Sequence, residues 1–368
     1  MAIHFTKEEF TERKSKTIQE LKKQGLDALL IFRQESMYWL TGYDTMGFVF
    51  FQCLILTTKG DVVLLTRAPD LRQAQNTSII DDIRIWIDKD KSNPTNELKN
   101  ILLELGLEKS NLGVEYEAYG LTGRNAIKLN NSLKNFATLH DKSELISYFR
   151  AVKSPAEIVY VKKAAELADK ALNEVWKIAK SGVNEAKILA EMQKVVFEGG
   201  GDYPANEFIV GSGHNALLCR YQSEKRILSN PDQLTIEWAG TFKHYHSAMM
   251  RTIPIGKVNP KHFKMHEACL EALSNCEKKL KPGNKVGDVF DTHAETFENL
   301  GNRRYEWKCN NLNSASKNAA KRLGFKFEGV FRQMIVVKGR NRDSAWFSII
   351  DKEWKKLKKG YQRFLEPS

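Results

Sequence analysis

The sequence predicts an α/β domain over residues 1–150, an α+β domain over 151–295 and a small α/β tail from 296 to 368. Three observations carry this. Short apolar runs alternate with amphipathic stretches up to residue 150, long helical patterns and one hairpin follow, and basic residues gather at the C-terminal end. A chain of 368 residues suits two or three domains of ordinary size.

Residues 10–24 read as an amphipathic helix that stops before Gly25, and 27–32 (DALLIF) as a buried strand. Two β-branched and aromatic runs, 46–57 and 61–66, flank Thr58, Lys59 and Gly60 and predict a hairpin. Helical patterns at 96–105 and 122–133 bracket an apolar strand at 112–116. At Ser154, Pro155 and Glu157 a cap residue, a proline at the first helical position and a glutamate three residues past the cap announce a long helix towards Gly182. A second helix runs over 184–199 and ends at Gly199, Gly200 and Gly201. Strands at 233–238 and 242–255 are expected to flank an Ala239-Gly240 turn, with helices at 261–280 and 286–300 beyond. In the tail, a strand ends at Asn310-Asn311, Asn313 or Ser314 caps a helix that Gly324 stops, and strands follow at 331–338 and 345–350.

Composition excludes several classes. With 42% hydrophobic and 28% charged residues the chain is neither disordered nor fibrous. No window holds 18 consecutive apolar residues, and the first residues lack a basic stretch followed by an apolar run, so no membrane span and no secretory signal are expected. The five cysteines are odd in number, widely spread and without a CxxC pair. A cytoplasmic protein is the expectation. The net charge is +12, and residues 301–368, with 17 Lys and Arg against 6 Asp and Glu, hold +11 of it. No zinc-finger or aromatic-interleaved pattern accompanies those charges, so they read as a solvated face and nucleic acid is not the expected partner.

Three ordered segments, 150–169 (RAVKSPAEIVYVKKAAELAD), 206–221 (NEFIVGSGHNALLCRY) and 234–252 (LTIEWAGTFKHYHSAMMRT), resemble the creatinase and Xaa-Pro dipeptidase family, whose fold is nicknamed pita-bread. Residues 37–42 (MYWLTG) and 48–56 (FVFFQCLIL) are similar to the non-catalytic N-terminal domain of that family, and the resemblance covers residues 1 to about 295. In peptidase members it implies two aspartates eleven residues apart that hold a pair of divalent metals; those places fall on Glu237 and Ala248. An alanine methyl cannot ligate, so no metal is expected. The histidine that assists catalysis in many members corresponds to Arg220. The resemblance is therefore to the metal-independent branch, creatinase and ectoine-hydrolase-like proteins, which hydrolyse C–N bonds of small guanidino or cyclic amidine compounds. An inactive descendant of such an enzyme fits the same residues.

On that reading His246, Glu237 and Arg220 are the catalytic candidates, with Arg251 and Tyr245 at the substrate. His246 would move a proton, while Glu237 or Arg220 orients a small-molecule substrate. Strand parity places His244, His246 and Ala248 on one face; the plainer alternative makes the histidines ordinary strand residues and pairs Glu237 with Arg251. Trp238 reads as core. The resemblance also implies a homodimer. His262 and His266 sit four apart, but Phe263 stands where an HExxH motif needs glutamate, so they read as solvent-facing helix residues.

After about residue 295 the ligand-bearing second half of that family's catalytic domain is not recognisable, so the domain reads as truncated. Residues 296–354 instead resemble the C-terminal third of a GNAT-superfamily acetyltransferase, on Asn313, Ser316, Leu323-Gly324-Phe325 and Glu328-Gly329. That resemblance would place Asn313 and Ser316 near the pantetheine of acetyl-CoA and offers acetyl transfer as an alternative function. A non-catalytic dimeric binding protein is a further one. The glycine-rich turn that cradles the cofactor pyrophosphate has no counterpart upstream, and no cofactor is expected.

Overall fold

The computed structural model describes residues 3–218, 225–257, 259–299, 304–337, 340–350, 352–353 and 356–357, which divide into two compact units, 1–255 and 256–368. The first unit opens with α1 (Lys7–Lys23), β1 (Ala28–Ile31) and α2 (Gln34–Thr41), followed by β2 (Cys53–Thr57), β3 (Val62–Arg67), α3 (Leu71–Thr77) and β4 (Asp82–Trp86). It continues through α4 (Pro94–Glu104), β5 (Asn111–Val114), α5 (Gly123–Leu133), β6 (Thr138–Asp141) and α6 (Leu145–Ala151). The six strands form one mixed sheet in the order β4-β3-β2-β1-β5-β6. β1 is central, antiparallel to β2 and parallel to β5, and all four of its residues are buried, which is why DALLIF carries no polar alternation.

One expected strand is shortened, and a helix forms over residues to which the sequence reading assigns no element. Of the expected strand at 46–57 only Cys53–Thr57 is strand, because Gly47–Val49 forms a single 3₁₀ turn. Residues 37–41 of the run MYWLTG are helical, in α2, and Gly42 caps its C-terminus in the left-handed region. Ser36 through Thr41 are all buried there, so the helix lacks the polar stripe that would have betrayed its period. Its N-terminus is held by buried Glu115, whose carboxylate accepts from the N–H groups of Phe32 and Arg33 and from the Ser36 hydroxyl.

The same unit continues with α7 (Pro155–Ile178), α8 (Glu185–Glu198), β7 (Ile209–Ser212), β8 (Asp232–Phe242) and β9 (Tyr245–Ile255). The Ser154 capping box forms as its residues require: the hydroxyl accepts from Glu157 N–H and the Glu157 carboxylate accepts from Ser154 N–H. α7 and α8 cover one face of the antiparallel sheet β7-β8-β9, burying Ala168, Ala171, Ile188 and Met192 against Leu234, Ile236, Trp238 and Ile253.

The hairpin turn is not at Ala239-Gly240. β8 runs straight through those residues to Phe242, and the turn is Lys243-His244, both at positive φ (51° and 63°). Gly240 serves a different purpose: a Cβ there would lie 2.0 Å from the Ala164 carbonyl oxygen and 2.5 Å from the Ala168 nitrogen. Its missing side chain lets α7 rest on the strand.

The second unit comprises α9 (Pro260–Lys279), α10 (Val286–Asn299), β10 (Arg304–Asn310), α11 (Ser314–Arg322), β11 (Lys326–Val337) and β12 (Arg340–Ile350). Asn275 donates to Thr296 Oγ1 at 3.2 Å, joining α9 to α10. The sheet order is β10-β12-β11, α11 packs on it through Ala320 against Cys309, Ala345 and Phe347, and Ala294 of α10 is buried in a cluster with Ile349. Asn313 caps α11 and Gly324 (φ 74°) follows its end, as the sequence indicates. Among the described residues no helix is long and apolar enough to cross a membrane.

Candidate functional site

Residues directly opposite each other in an antiparallel pair share a face, so the β8–β9 register sorts the candidates. Glu237 faces Met250, Ala239 faces Ala248 and Thr241 faces His246. Glu237, Ala248 and His246 therefore lie on one face, the one turned away from α7 and α8. Glu237 and Ala248 are diagonal neighbours there. His246 lies four residues further along, about 13 Å at the usual strand rise. The Glu237 carboxylate forms no hydrogen bond or ion pair among the described residues.

Other candidates fall elsewhere. Arg251 lies opposite Ile236 on the helix-covered face and donates to the Met250 carbonyl, so it neither pairs with Glu237 nor shares its surface. Tyr245 pairs with Phe242 on that same face, and its hydroxyl donates to Glu157 Oε1 at 2.8 Å, which turns it towards α7 and away from Glu237. Arg220 lies outside the described residues. Trp238 is core, 3% exposed, with its indole N–H on the Ala168 carbonyl. His262 and His266 are exposed on α9. In the second unit Asn313 spends its side chain on Ser316 N–H, and the Ser316 hydroxyl accepts from Trp307 Nε1 at 3.0 Å, so both have structural partners.

His246 is fixed by two backbone groups. Its Nδ1 lies 2.9 Å from the His244 carbonyl oxygen, and its Nε2 accepts from Ala205 N–H at 2.9 Å. A carbonyl cannot donate and an amide N–H cannot accept, so the ring is neutral with its proton on Nδ1. Desolvation lowers its pKa below the ordinary histidine value, against the opposing pull of the His244 carbonyl.

His244 does not join that face, because it sits in the turn. Its ring Nε2 meets Asp44 Oδ2 at 2.9 Å, and its backbone N–H donates to Asp202 Oδ2 at 3.0 Å. The Asp44 hydrogen bond raises the His244 pKa, with desolvation working against it. The Tyr38 hydroxyl donates to the Lys243 carbonyl at 3.0 Å and so accepts from His4 Nδ1–H at 2.7 Å. His4, Tyr38 and Asp44 thus reach the hairpin from the N-terminal domain. No local sequence signal marks them, since Asp44 and His244 are 200 residues apart.

Behind the sheet, buried Glu185 accepts from Ser212 N–H and Oγ and from Arg226 N–H, and the Arg226 guanidinium contacts Ser212 and Asp232. Burial raises the Asp232 pKa, but bonds from Arg226, Ser229 and Gln233 outweigh it and hold the carboxyl at about 2. This network ties β7 to the start of β8.

The chain thus has an N-terminal α/β domain followed by a three-stranded sheet backed by two helices, with a carboxylate and an imidazole on the face turned away from them. Residues 13–152 match the creatinase/prolidase N-terminal domain and residues 160–331 match metallopeptidase family M24. The chain carries both domains and is homologous to ectoine hydrolase and Xaa-Pro dipeptidases. It is 27% identical over 325 residues to the ectoine hydrolase of Halomonas elongata, covering 84% of this chain and 81% of that protein. It is 26% identical over 282 residues to a Xaa-Pro dipeptidase of Pyrococcus horikoshii, covering 74% and 72% respectively. Among solved structures, a prolidase from Thermococcus sibiricus superposes with a TM-score of 0.70 at 22% identity over 79% of this chain and 78% of that one. A dipeptidase from Pyrococcus horikoshii gives 0.69 at 22% identity over 93% and 96%. These likenesses establish the pita-bread type of fold. The M24 match continues to residue 331, across part of the stretch that resembles an acetyltransferase, and nothing in the comparisons supports that second resemblance.

Metallopeptidase family M24 implies a metal centre. A dinuclear centre needs several convergent carboxylates and imidazoles. Ala248 offers a methyl beside Glu237, and among the described residues no three His, Cys, Asp or Glu side chains converge where one ion could sit. The described residues do not fit a metal pair.

Proposed function

We propose that this chain is a metal-independent hydrolase of C–N bonds in a small cyclic amidine or guanidino compound, acting as a cytoplasmic homodimer. The observation that carries the reading is the unpaired Glu237 carboxylate beside the Ala248 methyl, on the face that also presents His246. An unpaired carboxylate attracts a delocalised cation such as an amidinium or guanidinium, which offers it two parallel N–H donors. His246, neutral near physiological pH, supplies the base. When a water displaces the Ala205 N–H at Nε2, the ring takes a proton from it as the oxygen attacks the amidine carbon. The C–O bond forms, the C–N bond breaks, and Nε2 returns the proton to the departing nitrogen. The separation between Glu237 and His246 leaves room for a small molecule and a water.

Support also comes from the relative named ectoine hydrolase, which aligns over most of both chains. The test is hydrolysis of ectoine, creatine and a Xaa-Pro dipeptide by chelator-treated protein, with and without added manganese. Turnover of a cyclic amidine or guanidino compound without metal is expected. Xaa-Pro cleavage that appears only with manganese overturns the proposal.

A further inference from the structure

We infer that Asp44 and Tyr38 of the N-terminal domain are positioning residues for His246, acting through the Lys243-His244 turn to fix which ring nitrogen of His246 carries the proton. The inference rests on the reading of His246 as the base, and it gives the N-terminal domain a part in the same site.

Neither Lys243 nor His244 is a glycine, yet both stand in the left-handed region. A side chain there costs about 1 kcal/mol per residue relative to ordinary backbone, so such a turn persists only where its surroundings hold it. Three groups hold this one: Asp44 Oδ2 takes the His244 ring, Asp202 Oδ2 takes the His244 N–H, and the Tyr38 hydroxyl takes the Lys243 carbonyl. Two of the three come from the N-terminal domain. His4 completes the set by donating to Tyr38, and the Tyr38 ring packs edge-on against His244 at 5.1 Å between centroids.

The held conformation has one chemical product. It aims the His244 carbonyl at His246 Nδ1, 2.9 Å away, which requires the proton on Nδ1 and leaves the Nε2 lone pair for Ala205 N–H or for a water. Were the turn to relax, that carbonyl would swing away and the ring would lose its preference between tautomers. Asp44 touches neither His246 nor the open strand face, so its influence is transmitted through the turn. The charged and titratable groups facing the His244 ring are Asp44, Asp202, Lys243, His246, the His4 ring at 6.3 Å and the Tyr38 ring at 5.1 Å, and those acting on His246 are His244 and Asp202.

The experiment is long-range proton–nitrogen NMR on full-length protein labelled at histidine, reading the His246 tautomer and titration in the parent and in Asp44→Ala, Asp44→Asn and Tyr38→Phe. The parent should show one tautomer, protonated on Nδ1. Asp44→Ala and Tyr38→Phe should make the Nε2–H tautomer, the form an unconstrained imidazole side chain favours, clearly visible beside the first. Asp44→Asn, whose amide oxygen still accepts from the His244 ring, should restore most of the parent signal. An unchanged His246 spectrum in folded Asp44→Ala and Tyr38→Phe overturns the inference; if Asp44→Ala does not fold, Tyr38→Phe and Asp44→Asn decide it. The outcome is separable from that of the proposed function, because undiminished hydrolysis by His246→Gln would remove the base assignment while leaving the NMR result to stand or fall alone.

Discussion

His244 Nε2 and Asp44 Oδ2 meet at 2.9 Å across 200 residues of chain, joining the hairpin turn to the loop after α2. The pair makes that turn a point of attachment between the N-terminal domain and the sheet that carries Glu237.

Stability should record this pair in a defined pH window. The folded His244 pKa is raised, so its contribution is complete below its unfolded value and is lost as pH rises through the folded one. The folded Asp44 pKa is lowered, even though desolvation opposes the shift. Its contribution is therefore complete above the unfolded carboxylate value and lost as pH falls through the folded one. The difference in melting temperature between the parent and Asp44→Ala should accordingly be largest near pH 5 and shrink by about pH 8. Both side chains are about a third or more exposed, so solvent screening limits the effect to about 0.5–1 kcal/mol. A difference that grows towards alkaline pH would contradict the pairing.

Glu115 should give the opposite impression of an acid. Burial pushes its pKa up to about 7, against the bonds from Ser36, Arg33 and Phe32. Because the folded value is raised, stability is highest below the unfolded carboxylate value and falls as pH rises through about 7. Glu115→Gln should flatten that slope in urea titrations between about pH 5 and 8. Glu115→Ala, which leaves the start of α2 unsatisfied, should cost on the order of 2–3 kcal/mol near pH 5 and less as pH rises. Identical pH slopes in the parent and Glu115→Gln would rule out this assignment.

Replacing Gly240 should damage the fold without altering any polar group. A methyl 2.0 Å from the Ala164 carbonyl must push α7 off the sheet, and we expect Gly240→Ala to lose about 3 kcal/mol or more, measured by denaturant unfolding. A variant as stable as the parent would mean that α7 does not rest on β8 as described.

Kinetics should separate the two candidate groups. Glu237→Gln is expected to raise KM for a cationic substrate about tenfold to a hundredfold with a smaller change in kcat, since it removes an anchor. His246→Gln should lower kcat by about two orders of magnitude or more. In the parent, kcat/KM should rise with pH through a value below that of an ordinary histidine, because desolvation lowers the His246 pKa and only the neutral ring serves as base. A rise centred on or above that ordinary value would exclude His246.

What the sequence revealed follows from how local each signal is. The Ser154 cap, the Asn313 cap and the buried strand 27–32 are written in a few adjacent residues and were legible. α2 was not, because a helix buried on every side shows no period. The hairpin turn was misplaced because Gly240 resembles a turn residue, whereas its lack of a Cβ serves a helix packed from elsewhere, and the actual turn uses Lys and His. Pairing Glu237 with Arg251 failed on strand parity, because the register sets Arg251 opposite Ile236 on the other face. Strand parity did place His246 and Ala248 together. The contacts of His4, Tyr38 and Asp44 with the hairpin depend on tertiary approach alone and left no trace in spacing.

The burial of Ala294 with Ile349 bears on how the protein should be handled at the bench. A shortened version ending at residue 295 would look natural to anyone dividing the chain by family resemblance. It would cut α10 before its end and uncover Ala294, which the whole chain buries beside Ile349, so an insoluble product would say nothing about the remaining residues. Expression trials should keep residues 256–350 together.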